Sequence, residues 1–232
     1  MSETGLNEKI EGFLESALEK FLVNDYNEAI RDLKAAEVLD KDNPQILHNL
    51  GVNYSRLGLH KTACIYFEKI INLPFGFVDI LTVKKLFAFS LIHLNDYSKA
   101  EKLLNEVLDS SRGDVTALSM KAYCYERTKN YFEAMKLYKM IIEIDKSNFN
   151  AYNSCAYILA ETGKNLEEAH KLSFAAYSYD KKNPAYMDTF GYVCLKMGDF
   201  QEAERLFLEA EKLLPFNEDI KKHLKELISL KQ

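Results

Sequence analysis

The sequence predicts an all-α protein, an α-solenoid of about six helix-turn-helix repeats followed by a C-terminal capping helix. One observation is a repeated sequence pattern with a period of about 34 residues. A second is that apolar residues in each repeat follow helical spacing. The third is composition, because 4 Pro and 9 Gly in 232 residues leave few turn residues for an all-β protein. Abundant Ala, Leu, Glu and Lys favour helix instead.

The period is read from alanines that close similar short segments, such as NDYNEA at the first and DFQEA at the last. Successive alanines lie 34, 37, 34, 35 and 34 residues apart. Six occurrences at nearly one spacing indicate an array of repeats, each a single supersecondary unit. The marker alanines are Ala29, Ala63, Ala100, Ala134, Ala169 and Ala203.

Each repeat contains two apolar stripes at helical spacing, one before and one after its marker alanine. The first stripe of the second repeat is Leu47, Leu50, Gly51 and Tyr54, and steps of three, one and three place these residues on one helix face. A small residue in this stripe lets a neighbouring helix approach closely. We therefore predict two antiparallel helices per repeat. The small residues are Ala17, Gly51, Ala88, Ala122, Ala156 and Gly191.

Glycines and prolines punctuate the helices at consistent places. Gly58, Gly163 and Gly198 fall between the two helices of a repeat, where a left-handed residue often ends a helix. Pro44, Pro184 and Pro215 fall between repeats. We place the repeats at 10–43, 44–77, 81–114, 115–148, 149–183 and 184–217 and the capping helix at 218–231, in one array over 1–232.

Some repeats depart from this pattern. Lys20, Lys84, Leu91 and Ser173 stand at positions where the other repeats place different core residues. The segment LPFGFVD at 73–79 is the only insertion longer than one residue. We do not interpret it as a domain boundary.

These residues resemble the tetratricopeptide repeat, most closely in NPAYMDTFGYVCLKMGDFQEAERLFLEAEKLLPFN. The resemblance covers about residues 10–217. It implies a right-handed solenoid in which the first helices of the repeats line a concave ligand groove. It also implies a protein that binds other proteins and is not an enzyme.

The resemblance places candidate groove residues directly after the small residue of each first helix, and four and seven residues before that position. Tyrosine offers a flat apolar face with a polar tip, and asparagine can both donate to and accept from a peptide backbone. We therefore expect an extended peptide or a partner helix as the ligand. The candidate binding residues are Phe89, Tyr123, Asn150, Asn153, Tyr157, Asp188 and Tyr192.

An alternative function is a self-associating scaffold or assembly factor. The first repeats carry an apolar patch instead of tyrosines, formed by Leu14, Leu18, Phe21 and Val52. Such a patch could pair with a second copy, so a homo-oligomer is the alternative outcome.

Other classes are disfavoured by what the sequence lacks. The net charge of −5 and the lack of a basic inner stripe count against nucleic-acid binding. No Gly-rich phosphate loop, nucleophile motif or metal-ligand spacing is present, so we expect no cofactor, no metal and no enzyme activity. No apolar stretch could cross a membrane and no leader is visible, which predicts a cytoplasmic protein.

Overall fold

The computed structural model describes residues 3–74 and 79–231. These residues form thirteen α-helices and no strand, which confirms the predicted all-α repeat fold. Residues 75–78 of the LPFGFVD insertion lie outside the described residues, and 75–77 are the end of the second predicted repeat. The helices are α1 Glu3–Leu22, α2 Tyr26–Leu39, α3 Pro44–Arg56, α4 His60–Ile71, α5 Ile80–His93, α6 Tyr97–Ser110, α7 Val115–Arg127, α8 Tyr131–Ile144, α9 Phe149–Thr162, α10 Leu166–Tyr179, α11 Pro184–Met197, α12 Phe200–Leu213 and α13 Glu218–Lys231.

The chain forms two compact units, which we call unit 1 (Met1–Cys124) and unit 2 (Tyr125–Gln232). In unit 1, α1 pairs with α2, α3 with α4, and α5 with α6. In unit 2, α9 pairs with α10 and α11 with α12, and α13 packs on both α12 and α11. The arrangement of all repeats in one array stays a prediction.

Helix starts follow from local sequence. Asn43 accepts hydrogen bonds from the backbone N–H groups of Gln45 and Ile46 and so caps α3, and Pro44 opens that helix. Asn183 and Pro184 do the same for α11. Proline suits the first helical position because its missing N–H would have no intrahelical partner there.

Turns within the hairpins use left-handed residues, as the glycine positions predicted. Gly58, Gly163 and Gly198 have φ angles of 73°, 63° and 86°. Asn95, between α5 and α6, and Lys129, between α7 and α8, adopt the same conformation, with φ of 60° each. Asparagine tolerates this region, whereas a lysine there is strained by its Cβ atom.

Two of the predicted small residues, Gly51 and Gly191, lie where the second helix of the repeat approaches closely. A Cβ atom added to Gly51 would lie 2.6 Å from the Phe67 ring, and one added to Gly191 would lie 2.9 Å from the Phe207 ring. Phe67 and Phe207 are fully buried. Each glycine thus provides the space that an aromatic residue of the second helix fills, in unit 1 and again in unit 2.

Irregular repeats satisfy their polar residues locally. The Nζ atom of Lys20 lies 2.5 Å from Asp32, and that of Lys84 lies 2.6 Å from Glu106. The buried Ser173 hydroxyl donates to the Ala169 carbonyl at 2.8 Å. These polar departures from the repeat pattern therefore leave no unmet hydrogen bond at Ser173 and no isolated charge at either lysine.

Candidate functional site

Unit 1 contains an open cleft of about 670 Å³, which we call the unit 1 groove. Residues of α3, α5 and the first half of α7 line it. Its apolar surface comes from Val52, Leu86, Phe89 and Met120. Clefts of 300–1,000 Å³ that are mainly apolar are typical of ligand sites.

An aromatic cluster stands on one wall of the groove. The rings of His60 and His93 stack with centroids 4.3 Å apart and planes 4° apart. Phe89 meets His93 edge-on at 4.5 Å and still exposes 41% of its surface. The cluster presents a partly apolar surface that a partner side chain could cover.

The electrostatics of the groove differ from those of the whole chain, whose net charge is −5. Arg56 and Lys85 line it, and none of its described lining residues is acidic. Lys85 is held by Asp114 at 2.7 Å. Burial and the neighbouring His93 lower the pKa of His60, so the His60 imidazole is neutral at physiological pH.

The predicted self-association patch is divided by the structure. Leu14 lies in the core of unit 1, and Val52 is half-buried and lines the unit 1 groove. Phe21 packs against Tyr26 with ring centroids 5.6 Å apart. Leu18 is 57% exposed and lines a smaller cavity of about 170 Å³ with Phe21 and Val52. Leu14 therefore serves folding and cannot contribute to an exposed patch.

Unit 2 contains a polar pocket of about 210 Å³, which we call the unit 2 pocket. Predicted site residues Asn153, Tyr157 and Asp188 line it. Acidic residues Glu126 and Asp219 lie there as well. Burial raises the pKa of Glu126 to about 7, although the Tyr138 hydroxyl donates a hydrogen bond to it at 3.0 Å.

The C-terminal helix covers two of the predicted binding residues. Tyr192 is 2% exposed, stacks on His223 of α13 at 4.2 Å and donates a hydrogen bond to Glu161 at 2.6 Å. Asp188 is buried and lies 2.9 Å from His223 Nδ1. Both residues were expected on an open groove. In the structure, they hold α13 on α11 because that helix occupies the space in front of them.

The remaining predicted residues have varied surroundings. Tyr157 is half-buried with its ring 5.7 Å from Tyr192. Asn150 accepts a hydrogen bond from the Tyr186 hydroxyl at 2.8 Å, so its side chain braces α11. Tyr123 belongs to unit 1 and is 40% exposed. Phe89 and Val52 meet in the unit 1 groove, and Asn153, Tyr157 and Asp188 meet in the unit 2 pocket.

Several lining residues escaped the sequence analysis. Arg56 and His93 each lie four residues after a predicted position, Val52 and Phe89, and Arg127 lies four after Tyr123. A step of four stays on one helix face, so extending each stripe by one turn finds them. His60 and His223 lie on other helices, and no local signal points to them.

Burial suppresses thiolate formation at two of the four cysteines. Cys64, Cys124, Cys155 and Cys194 form no disulfide. Burial raises the pKa of Cys155 and of Cys194 to about 12, which keeps both thiols protonated. Within residues 3–74 and 79–231, no group of three or more His, Cys, Asp or Glu residues could hold a metal ion. In the same residues, no helix is both long and apolar enough to cross a membrane.

Comparison with family models identifies repeats directly. A model described as TPR repeat matches residues 17–58, and two described as tetratricopeptide repeat match residues 44–75 and 91–156. The TPR repeat-containing protein PA4667 of Pseudomonas aeruginosa is 25% identical over 139 residues, which are 60% of this chain and 23% of that protein. The chain thus matches less than a third of the length of its curated relatives.

Solved structures share the fold. A tetratricopeptide repeat protein from Parabacteroides merdae superposes with a TM-score of 0.74 at 18% identity, over 96% of this chain and 93% of that one. YrrB, described as a TPR protein with an unusual peptide-binding site, has a TM-score of 0.63 at 17% identity, over 78% of this chain and 95% of its own. With its helical hairpins, close glycine contacts and matching repeat models, the chain belongs to the tetratricopeptide-repeat family.

Proposed function

We propose that this protein acts by binding and not by catalysis, and that the unit 1 groove holds an extended peptide or a helix of a partner protein. The observation that carries the proposal is the exposed Phe89 ring beside the His60–His93 stack in an apolar cleft of about 670 Å³. An exposed aromatic ring adds little to folding, whereas covering it with a partner removes apolar surface from water.

The polar rim of the groove suits a peptide ligand. Ser55, Thr82 and Thr116 line it and can donate to or accept from a backbone. Arg56 and Lys85 lie at the same cleft, which has no acidic described residue. The favoured partner segment therefore carries an apolar side chain for the Phe89 cluster and acidic residues beside it.

The experiment selects peptides on the purified full chain from a random displayed library and measures their affinity by fluorescence anisotropy. We expect Phe89→Ala to weaken binding of selected peptides by about 30-fold, the effect of losing an anchor worth about 2 kcal/mol. Phe216→Ala is the matched control, because Phe216 is 86% exposed and lies between α12 and α13. Failure to enrich peptides, or equal affinity for wild type and Phe89→Ala, would refute the proposal.

Self-association is the second candidate, and one observation favours it. Leu18 and Leu22, one helical turn apart near the end of α1, and Val23 directly after it are all exposed. Sedimentation of the full chain separates the two functions. A dimer that Leu22→Asp dissociates, with peptide binding unchanged, supports the scaffold, and a monomer at all concentrations excludes it.

A further inference from the structure

The unit 2 pocket differs in chemistry from the unit 1 groove, because polar acceptor groups make up a larger share of its lining. Glu126, Asp188 and Asp219 contribute three carboxyl groups, and Asn153 adds an amide. Arg127 is the one basic described residue of the lining other than His223. The acceptors therefore outnumber the charges that could neutralise them.

His223 is a buried side chain that lines this pocket. Its side chain is 1% exposed, and its Nδ1 atom lies 2.9 Å from an Asp188 oxygen. A carboxylate only accepts hydrogen bonds, so Nδ1 carries a proton toward Asp188, and in the neutral tautomer with this proton Nε2 has a lone pair. That Nε2 atom has no hydrogen-bond partner among the described residues.

Asn153 provides a second acceptor without a partner. Its Oδ1 atom is buried, and no described group donates a hydrogen bond to it. Nearly all buried polar atoms in proteins have a partner, so two such atoms around one small pocket indicate that a donor is missing. A single N–H or O–H donor group could therefore serve Asn153 Oδ1 and the neutral His223 Nε2 alike.

The volume limits what the donor can be. At about 210 Å³, the pocket has room for about seven waters at liquid density, and it lies below the range of 300–1,000 Å³ typical of small-molecule sites. One long side chain fits this size. A planar group with several donors could reach a carboxylate and neutral acceptors together, which is the geometry of a guanidinium.

We propose that the unit 2 pocket binds a single arginine side chain of a partner protein, with Glu126 and Asp188 as its anionic contacts and Asn153 and His223 as neutral acceptors. This site is separate from the unit 1 groove and does not rest on the function proposed for that groove. A lysine side chain or ordered water is the competing occupant, and the test separates them.

The charge state of Glu126 gives the site a pH dependence. Burial raises its pKa to about 7, and Arg127 lowers while Asp219 raises that value. The other titratable groups near it are Tyr131, Tyr138, Cys155, Tyr157, Asp188 and His223. A cation prefers the ionised carboxylate, so we expect affinity to rise about tenfold from pH 6 to pH 8, as the ionised fraction does for a pKa of 7.

The test titrates the ¹⁵N-labelled full chain with N-acetyl-arginine amide, N-acetyl-lysine amide and N-acetyl-citrulline amide, the last a neutral analogue of arginine. We expect the arginine probe to shift the signals of Asn153, Asp188 and His223 and to bind at least about tenfold more tightly than citrulline. Equal binding of arginine and citrulline, shifts elsewhere in the chain, or tighter binding of lysine would overturn the proposal. Absence of binding by all three probes would assign the pocket to water.

Variants test whether Glu126 and Asn153 contact the arginine probe. Glu126→Gln keeps an acceptor for Tyr138 and should weaken arginine binding by about tenfold or more. Glu167→Gln removes an equal charge from the exposed face of α10 and should change affinity less than twofold, an effect of about 0.4 kcal/mol. If Glu126→Gln perturbs folding, Asn153→Leu removes the unpartnered amide instead. Wild-type affinity in a folded Glu126→Gln or Asn153→Leu protein would contradict the assignment.

Discussion

Unit 1 and unit 2 place equivalent helix positions in opposite environments. Phe89 and Tyr192 each follow the small residue of a first helix, Ala88 and Gly191. Phe89 is 41% exposed in an open apolar groove, whereas Tyr192 is 2% exposed under α13. The repeat pattern therefore determines which face of a helix a residue occupies, and the next packed element determines whether that face stays open.

Each unit contains the same packing of a phenylalanine ring against a glycine, and disrupting this packing should give the largest effect. Leucine at Gly191 would force the buried Phe207 ring away from α11, since even a Cβ atom there meets the ring at 2.9 Å. We expect Gly191→Leu to lower the free energy of unfolding by more than about 3 kcal/mol. Gly51→Leu should do the same in unit 1, where Phe67 fills the equivalent space.

Gly198→Ala is the control for the glycine variants. Gly198 has φ of 86° and open space where the methyl group of an alanine would lie, so only backbone strain opposes alanine. That cost is about 1 kcal/mol. Urea unfolding of the full chain measures all three variants, and equal losses for Gly191→Leu and Gly198→Ala would show that α11 and α12 do not approach closely at Gly191.

The contrast between Phe89 and Tyr192 is tested by removing each ring. Tyr192→Ala should cost about 3 kcal/mol of stability, because it leaves a cavity beneath α13 and removes the stack on His223. Phe89→Ala should cost less than about 1 kcal/mol, because 41% of the residue is already exposed to water and its removal leaves no enclosed cavity. Thermal unfolding compares the two.

Hydrogen exchange adds a local measurement for the same pair. In Tyr192→Ala, amides of α13 should exchange faster than in the wild type, while those of α5 should keep their protection. A Tyr192→Ala protein as stable as Phe89→Ala, with α13 still protected, would mean that α13 does not depend on this contact.

The two sites should also respond oppositely to pH. The folded pKa of His60 is lowered, so its stability contribution is present above the ordinary value of 6.5 and is lost as pH falls below it. The folded pKa of Glu126 is raised from 4.5 to about 7, so its proton is bound more tightly in the folded state. The contribution of Glu126 to the free energy of unfolding therefore becomes more favourable as pH falls from 7 to 4.5.

Urea unfolding at pH 5 and pH 8 checks this sign. Relative to wild type, Glu126→Gln should gain up to about 3 kcal/mol more stability at pH 8 than at pH 5, since it removes the cost of the buried charge. His60→Gln should show its relative gain at pH 5 instead. If both differences have the same sign, the opposed titration of the two sites is wrong.

Much of the fold could be predicted because its determinants are local. Gly191 and Ala203 lie twelve residues apart within one hairpin, and the stripes around them need only helical periodicity to be recognised. Asn183 and Pro184 start α11 through contacts within three residues. Short-range interactions of this kind recur along the array, so the helix positions of a repeat with a weak pattern can be predicted from its neighbours.

The candidate sites were predicted only in part because they depend on distant contacts. Asn153 and Tyr157 were found from their register, and the structure brings them to one pocket. Tyr192 and Asp188 were expected in the open, because nothing in the period shows that His223, 35 residues after Asp188, pairs with that carboxylate. His60 was overlooked for the same reason, since its stack with His93 joins two different hairpins.

The sequence by itself determined the repeat period, the helical hairpins, the left-handed turns and the residues that face the core. These features follow from periodicity and backbone preference, which act over a few residues. Only the tertiary structure decided which outward residues stay exposed, because burial depends on elements far along the chain. It left Phe89 beside two stacked histidines and enclosed Glu126, Asp188 and His223 in one pocket, and those placements set the chemistry that each unit offers to a partner.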